Sequence, residues 1–142
     1  MNGNTELLDF TAQNAQMGAL SLSKLLKLCP DEPFATHMRE QQQGYDHLEQ
    51  KARLLLERHG KEEKGLSVGE KLRTYLMVDF QTLNDRSPSH LAGMLLIGSS
   101  MGIVQARQKL SQYPHAEKEI RSLLEELCTF EEKNVERLKT FL

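Results

Sequence analysis

Five polar side chains fall on otherwise apolar helical faces in this sequence, and they are the residues whose types and positions could do chemistry: Asn14, Gln41, Tyr45, Glu131 and Asn134. At 100° per residue, Gln41 and Tyr45 share a stripe with Phe34, Met38, Leu48, Ala52, Leu55 and Leu56. Glu131 and Asn134 share one with Ala116, Ile120, Leu123, Leu124, Leu127, Phe130, Leu138 and Phe141. A lone carboxylate turned into such an interior has a raised pKa unless it is paired. The expectation is a buried polar layer in which these groups hydrogen-bond to one another and fix helix register, with a single-ion or small-ligand pocket as the alternative.

The remaining candidates point to packing. No two of the five histidines form an i, i+4 ligand pair on a core face. His47 is expected in solvent, His59 at a helix end, and His37, His90 and His115 in or near first turns. Cys29 falls at a turn and Cys128 well inside the last helix, so no disulfide is expected. Gly98-Ser-Ser-Met-Gly102 has the small-x-x-x-small spacing that lets helices approach closely, and Gly18 is its counterpart near the start of the chain. Gly18 and Gly102 are expected against neighbouring helix backbones. The segment lacks the lysine and the strand-to-helix context of a phosphate loop. Asp79 leans toward the apolar side of its helix, with Arg86 placed to neutralise it unless the acid marks an interface.

These residues must be positioned by helices, because no window alternates apolar and polar residues long enough to make a strand. Turn residues divide the chain into five helical stretches, at about residues 4–28, 31–59, 67–84, from 88, and from just after Pro114 almost to the end. Ser67 with Glu70 is a capping box, and Ser87-Pro88 reads as an N-cap followed by a first-turn proline. The third stretch is amphipathic through Leu72, Tyr75, Leu76 and Leu83. The fourth has no charged residue from Leu91 to Ala106 and is apolar nearly all round, so it is expected to be the most enclosed. Its uncharged run is short for a membrane span and is interrupted by Ser99, Ser100 and Gln105.

Shifting the chain by 84 residues aligns Met17-Gly18 with Met101-Gly102, Leu26 with Leu110 and Pro30 with Pro114. The fold class expected is therefore all-α: a hairpin at about 4–59, a crossover helix at about 67–84 and a second hairpin at about 88–141, forming one domain over 1–142. This organisation resembles the ferritin-like four-helix-bundle superfamily, in an offshoot without the di-iron ligands. The resemblance implies ligand positions at matched depth, sixteen residues before each hairpin's proline and the same distance into the following helix. Asn14, Gly98, the Gln41/Tyr45 region and Glu131 with Asn134 occupy them. One carboxylate and no imidazole remain where four carboxylates and two imidazoles are expected, so neither a metal nor another cofactor is implied.

Composition narrows the function classes. The 142 residues carry a net charge of −2, with 39% hydrophobic and 27% charged residues, which fits one soluble domain. Basic and acidic residues are interspersed, so no nucleic-acid surface is expected, and no Lys-rich amphipathic helix with exposed aromatics suggests a membrane. With Glu6 and Asp9 and no cationic start, residues 1–10 are not expected to be a secretory signal, and a cytoplasmic location is expected. The function expected is that of a non-enzymatic bundle that self-associates or binds another protein, with the third helix as contact surface. A ferritin-like metal protein with an unconventional or mononuclear site around Glu131 is the alternative.

Overall fold

The computed structural model describes residues 2–29, 32–61, 63–82 and 84–142, and for Val68, Leu72, Tyr75, Leu76 and Phe80 it describes the backbone. Within it run α1 (Asn4–Leu26), α2 (Glu32–Arg58), α3 (Val68–Gln81), α4 (Pro88–Gln112) and α5 (Lys118–Lys139), with no strand among the described residues. Local chemistry sets the helix ends. Ser67 Oγ accepts from Glu70 N at 3.1 Å and Glu70 Oε1 from Ser67 N at 3.4 Å, which closes the capping box before α3. Ser87 Oγ accepts from His90 N at 3.2 Å, with Pro88 in the first turn of α4. At the end of α2, Gly60 has φ 69° while Lys61 N bonds Leu56 O and Gly60 N bonds Glu57 O. That left-handed geometry is why a glycine stands there.

Long apolar faces then pair the helices. The α1–α2 and α4–α5 contacts are the most extensive, and α1 also touches α3, α4 and α5. Contacts along α2 and α5 run in opposite directions: Arg58 pairs with Glu119, Lys51 with Glu126, Tyr45 with Glu131 and Phe34 with Phe141. The start of α1 meets the α4–α5 turn, where Glu117 N donates to Asn4 Oδ1 at 2.9 Å. α1 therefore runs with α5 and against α2 and α4. After α2 the chain returns alongside α1, with Leu66 N on Gln16 Oε1 at 3.0 Å and Asp79 on Lys24 at 2.7 Å. Phe34, Leu7, Leu22, Met38, Leu91, Leu124 and Leu138 are fully enclosed between the hairpins.

Two expectations need correction. α4 is not the most enclosed helix: Leu91, Ala92, Leu95, Ser99, Gly102, Ala106 and Leu110 are buried, but Ile97, Met101 and Val104 are 62%, 56% and 56% exposed. Its partners α5 and α1 lie to one side, which leaves the opposite face in solvent. By length and composition α4 is the one helix among the described residues apolar enough to cross a membrane. Asp79 does not lean inward to Arg86. It is 59% exposed and its partner is Lys24 of α1, because α3 lies along α1 with this edge outward. The apolar stripe expected on the third helix, Leu72, Tyr75, Leu76 and Leu83, lies outside the described residues.

Candidate functional site

The residues of the polar layer come from four helices. On α2, His37, Gln41 and Tyr45 stand at i, i+4 and i+8, so their side chains stack along one buried face. His37 Nε2 lies 3.1 Å from Gln41 Oε1, Gln41 Nε2 donates to Tyr45 Oη at 3.4 Å, and Tyr45 Oη donates to Glu131 Oε1 at 2.7 Å. Ser99 Oγ of α4 donates to the same oxygen at 3.2 Å, and Asn134 Nδ2, one turn along α5, at 3.3 Å. Asn14 of α1 also hydrogen-bonds the Glu131 carboxyl. Asn14, Gln41, Tyr45, Glu131 and Asn134 are thus gathered into one network, with Glu131 1% exposed at its centre. His37 and Ser99 join them. Ser99 is one position from Gly98, within the resolution of depth counting. His37 could have been found from its i−4 relation to Gln41.

Burial dominates the electrostatics. Desolvation raises the Glu131 pKa above 4.5, and hydrogen bonds from Tyr45, Asn134, Ser99 and Asn14 offset this only in part. The Tyr45 phenol is pushed up first by burial and then by the Glu131 charge. His37 is pushed down by burial, against the opposing pull of its bond to Gln41. A neutral His37 with its proton on Nε2 gives a row of donors, each pointing toward Glu131.

Glycines make the room. A Cβ on Gly18 would lie 2.5 Å from the Tyr45 ring, and one on Gly44 would lie 2.1 Å from Phe130, whose ring meets Tyr45 edge-on at 5.0 Å. A Cβ on Gly102 would meet Glu131 Oε2 at 3.0 Å. Gly18 and Gly102 thus face side chains, not the neighbouring backbones expected, because the polar layer fills the gap between the helices at this height. Gly98 does not mediate close packing at all: nothing lies within 4 Å of its Cβ position. It borders a cavity of about 320 Å³ between α1, α3 and α4 whose lining includes Tyr45, Ser99 and Glu131. With no contact to lose and a helical backbone to favour, Gly98→Ala should stabilise the protein by about 0.5–1 kcal/mol, read from denaturant midpoints at unchanged slope.

A dinuclear metal centre does not fit this donor set. Around Glu131 stand a phenol, a hydroxyl and two amides, all neutral, and Glu131 Oε1 already accepts three hydrogen bonds. Two divalent ions need several anionic ligands to offset their charge. Cys29 and Cys128 are free and buried. No group of three His, Cys, Asp or Glu side chains converges among the described residues. No protein-family model matches the chain, nor does any curated protein or solved structure.

Proposed function

We propose that the protein is a non-enzymatic, ferritin-like helical bundle that works by self-association, with the outward face of α4 as the surface where two copies meet. The exposed row of Ile97, Met101 and Val104 carries this reading. Its spacing of four and then three residues is the seam of interlocking helices, and Gln108 continues it one step further. No charged side chain occurs from Leu91 to Ala106, so a second copy of the same face meets no charge that must be desolvated. A two-fold axis makes such a surface its own complement.

The ferritin-like element of the proposal is supported by the helix directions. α1 and α5 run one way, α2 and α4 the other, and the segment containing α3 carries the chain back between the hairpins. One long crossover between two hairpins is the arrangement of that superfamily. The non-enzymatic element is supported by the state of the polar layer. Tyr45 is held protonated by burial and donates to Glu131, and Glu131 Oε1 is saturated by three donors. Neither group is poised as a nucleophile or a general base.

Sedimentation equilibrium tests self-association. Wild type should sediment as a dimer or a larger closed assembly, and Ile97→Glu combined with Met101→Lys should sediment as a monomer with unchanged helix content. A wild type that remains monomeric at high micromolar concentration, or an assembly that the double variant leaves intact, would overturn the reading. Co-sedimentation with lipid vesicles that depends on the same two residues would also overturn it, by giving the face to a bilayer.

A further inference from the structure

We propose that the cavity between α1, α3 and α4 is a binding site for a small apolar organic cation, an arylalkyl- or alkylammonium, whose charged nitrogen meets Glu131 and whose body lies against Met17, Met77 and Met94. This goes beyond self-association and concerns a different face of the molecule. The volume of about 320 Å³ is roughly twice that of a cavity known to accept a benzene ring, and it falls within the range of small-molecule sites. Leu25, Val78 and Leu95 add to an apolar wall, and Tyr45, Ser99 and Glu131 contribute a hydrogen-bonded polar cluster to the same lining. That polarity matches a molecule with one polar end. Gly98 keeps the space open, since α4 projects no side chain there.

Charge selects the class of ligand. Glu131 is 1% exposed, and the ion pairs among the described residues engage other acids: Asp79, Glu32, Glu126, Glu119, Glu117, Glu132 and Glu136. Its hydrogen-bond partners are all neutral, so its charge is solvated locally without being offset. An ammonium supplies that offset, whereas an anion is repelled and a neutral alcohol adds only one more hydrogen bond. Desolvation by the same burial raises the Glu131 pKa. Thioethers adapt to ligand shape and contact aromatic rings favourably. Glu70 and Arg73 also border the cavity, and their opposite charges balance each other, so Glu131 is the formal charge left over in the lining.

Titration calorimetry with 2-phenylethylamine and its neutral isostere 2-phenylethanol tests the proposal on wild type, Glu131→Gln and Gly98→Leu. Wild type should take up one amine per chain, at least tenfold more tightly than the alcohol. Glu131→Gln should bring the two affinities together. Gly98→Leu, which fills the cavity from α4, should abolish amine uptake while circular dichroism shows the helices intact. No amine binding to wild type, equal affinity for amine and alcohol, or amine binding undiminished in Glu131→Gln or in folded Gly98→Leu would overturn it.

Discussion

Gly18→Leu should lower the melting temperature by roughly 10 °C, equivalent to about 3 kcal/mol for a chain of this size. Leucine in place of glycine inside a helix gains up to ~1 kcal/mol in propensity, so the sign depends on whether the site can yield. The Tyr45 ring is what must yield, and both packing and a hydrogen bond hold it. A first added carbon would lie 2.5, 2.6 and 2.9 Å from three ring atoms, well inside van der Waals contact. The ring is 4% exposed, packs against Phe130 with centroids 5.0 Å apart, and its hydroxyl is tied to Glu131 at 2.7 Å. Moving it breaks that hydrogen bond and disturbs the whole polar layer. The same comparison on Gly98→Ala, where the added carbon touches nothing, separates overpacking from a general effect of altering helical glycines. Thermal unfolding followed by circular dichroism measures both, and a Gly18→Leu protein as stable as wild type would show that the Tyr45 pocket yields.

The second large effect is a contrast at one position. Glu131→Gln should leave the fold intact or more stable, because glutamine keeps the shape and an acceptor for Tyr45, Ser99 and Asn134 while removing a buried charge. Glu131→Leu should destabilise by on the order of 3 kcal/mol or more, since three buried donors lose their acceptor together at ~1–3 kcal/mol each. The pH dependence has a definite sign. The folded-state pKa of Glu131 is raised above its ordinary value of 4.5. Between those two values the folded chain holds a proton that the unfolded chain has released, so stability from this group is full below pH 4.5 and falls as pH rises through the folded pKa. Asp9, Asp46 and Glu63 are shifted the same way, so wild type alone does not isolate Glu131. The difference between wild type and Glu131→Gln does: the variant should gain relative stability as pH rises through that window, and urea unfolding at a series of pH values reads it. A difference independent of pH would mean that Glu131 titrates normally in the fold.

What sequence alone determined was the direction of residues on helices whose polar and apolar positions segregate. α2 and α5 are of that kind, so Gln41, Tyr45, Glu131 and Asn134 read as inward and are buried. Caps were legible too, since Ser67 with Glu70 and Ser87 with Pro88 act within one turn of chain. Tertiary structure decided everything that depends on a neighbour distant in sequence. α4 is apolar nearly all round, so its periodicity carries no direction, and the side on which α5 and α1 pack leaves Ile97, Met101 and Val104 outside. Asp79 turned outward because Lys24 of another helix stands beside it. Of two glycines four residues apart, Gly102 faces a carboxylate and Gly98 a cavity, a distinction that spacing within one helix cannot encode. The convergence of Asn14, Ser99, Tyr45 and Asn134 on Glu131 likewise arises only when four helices meet, because each side chain taken singly shows only that it points inward.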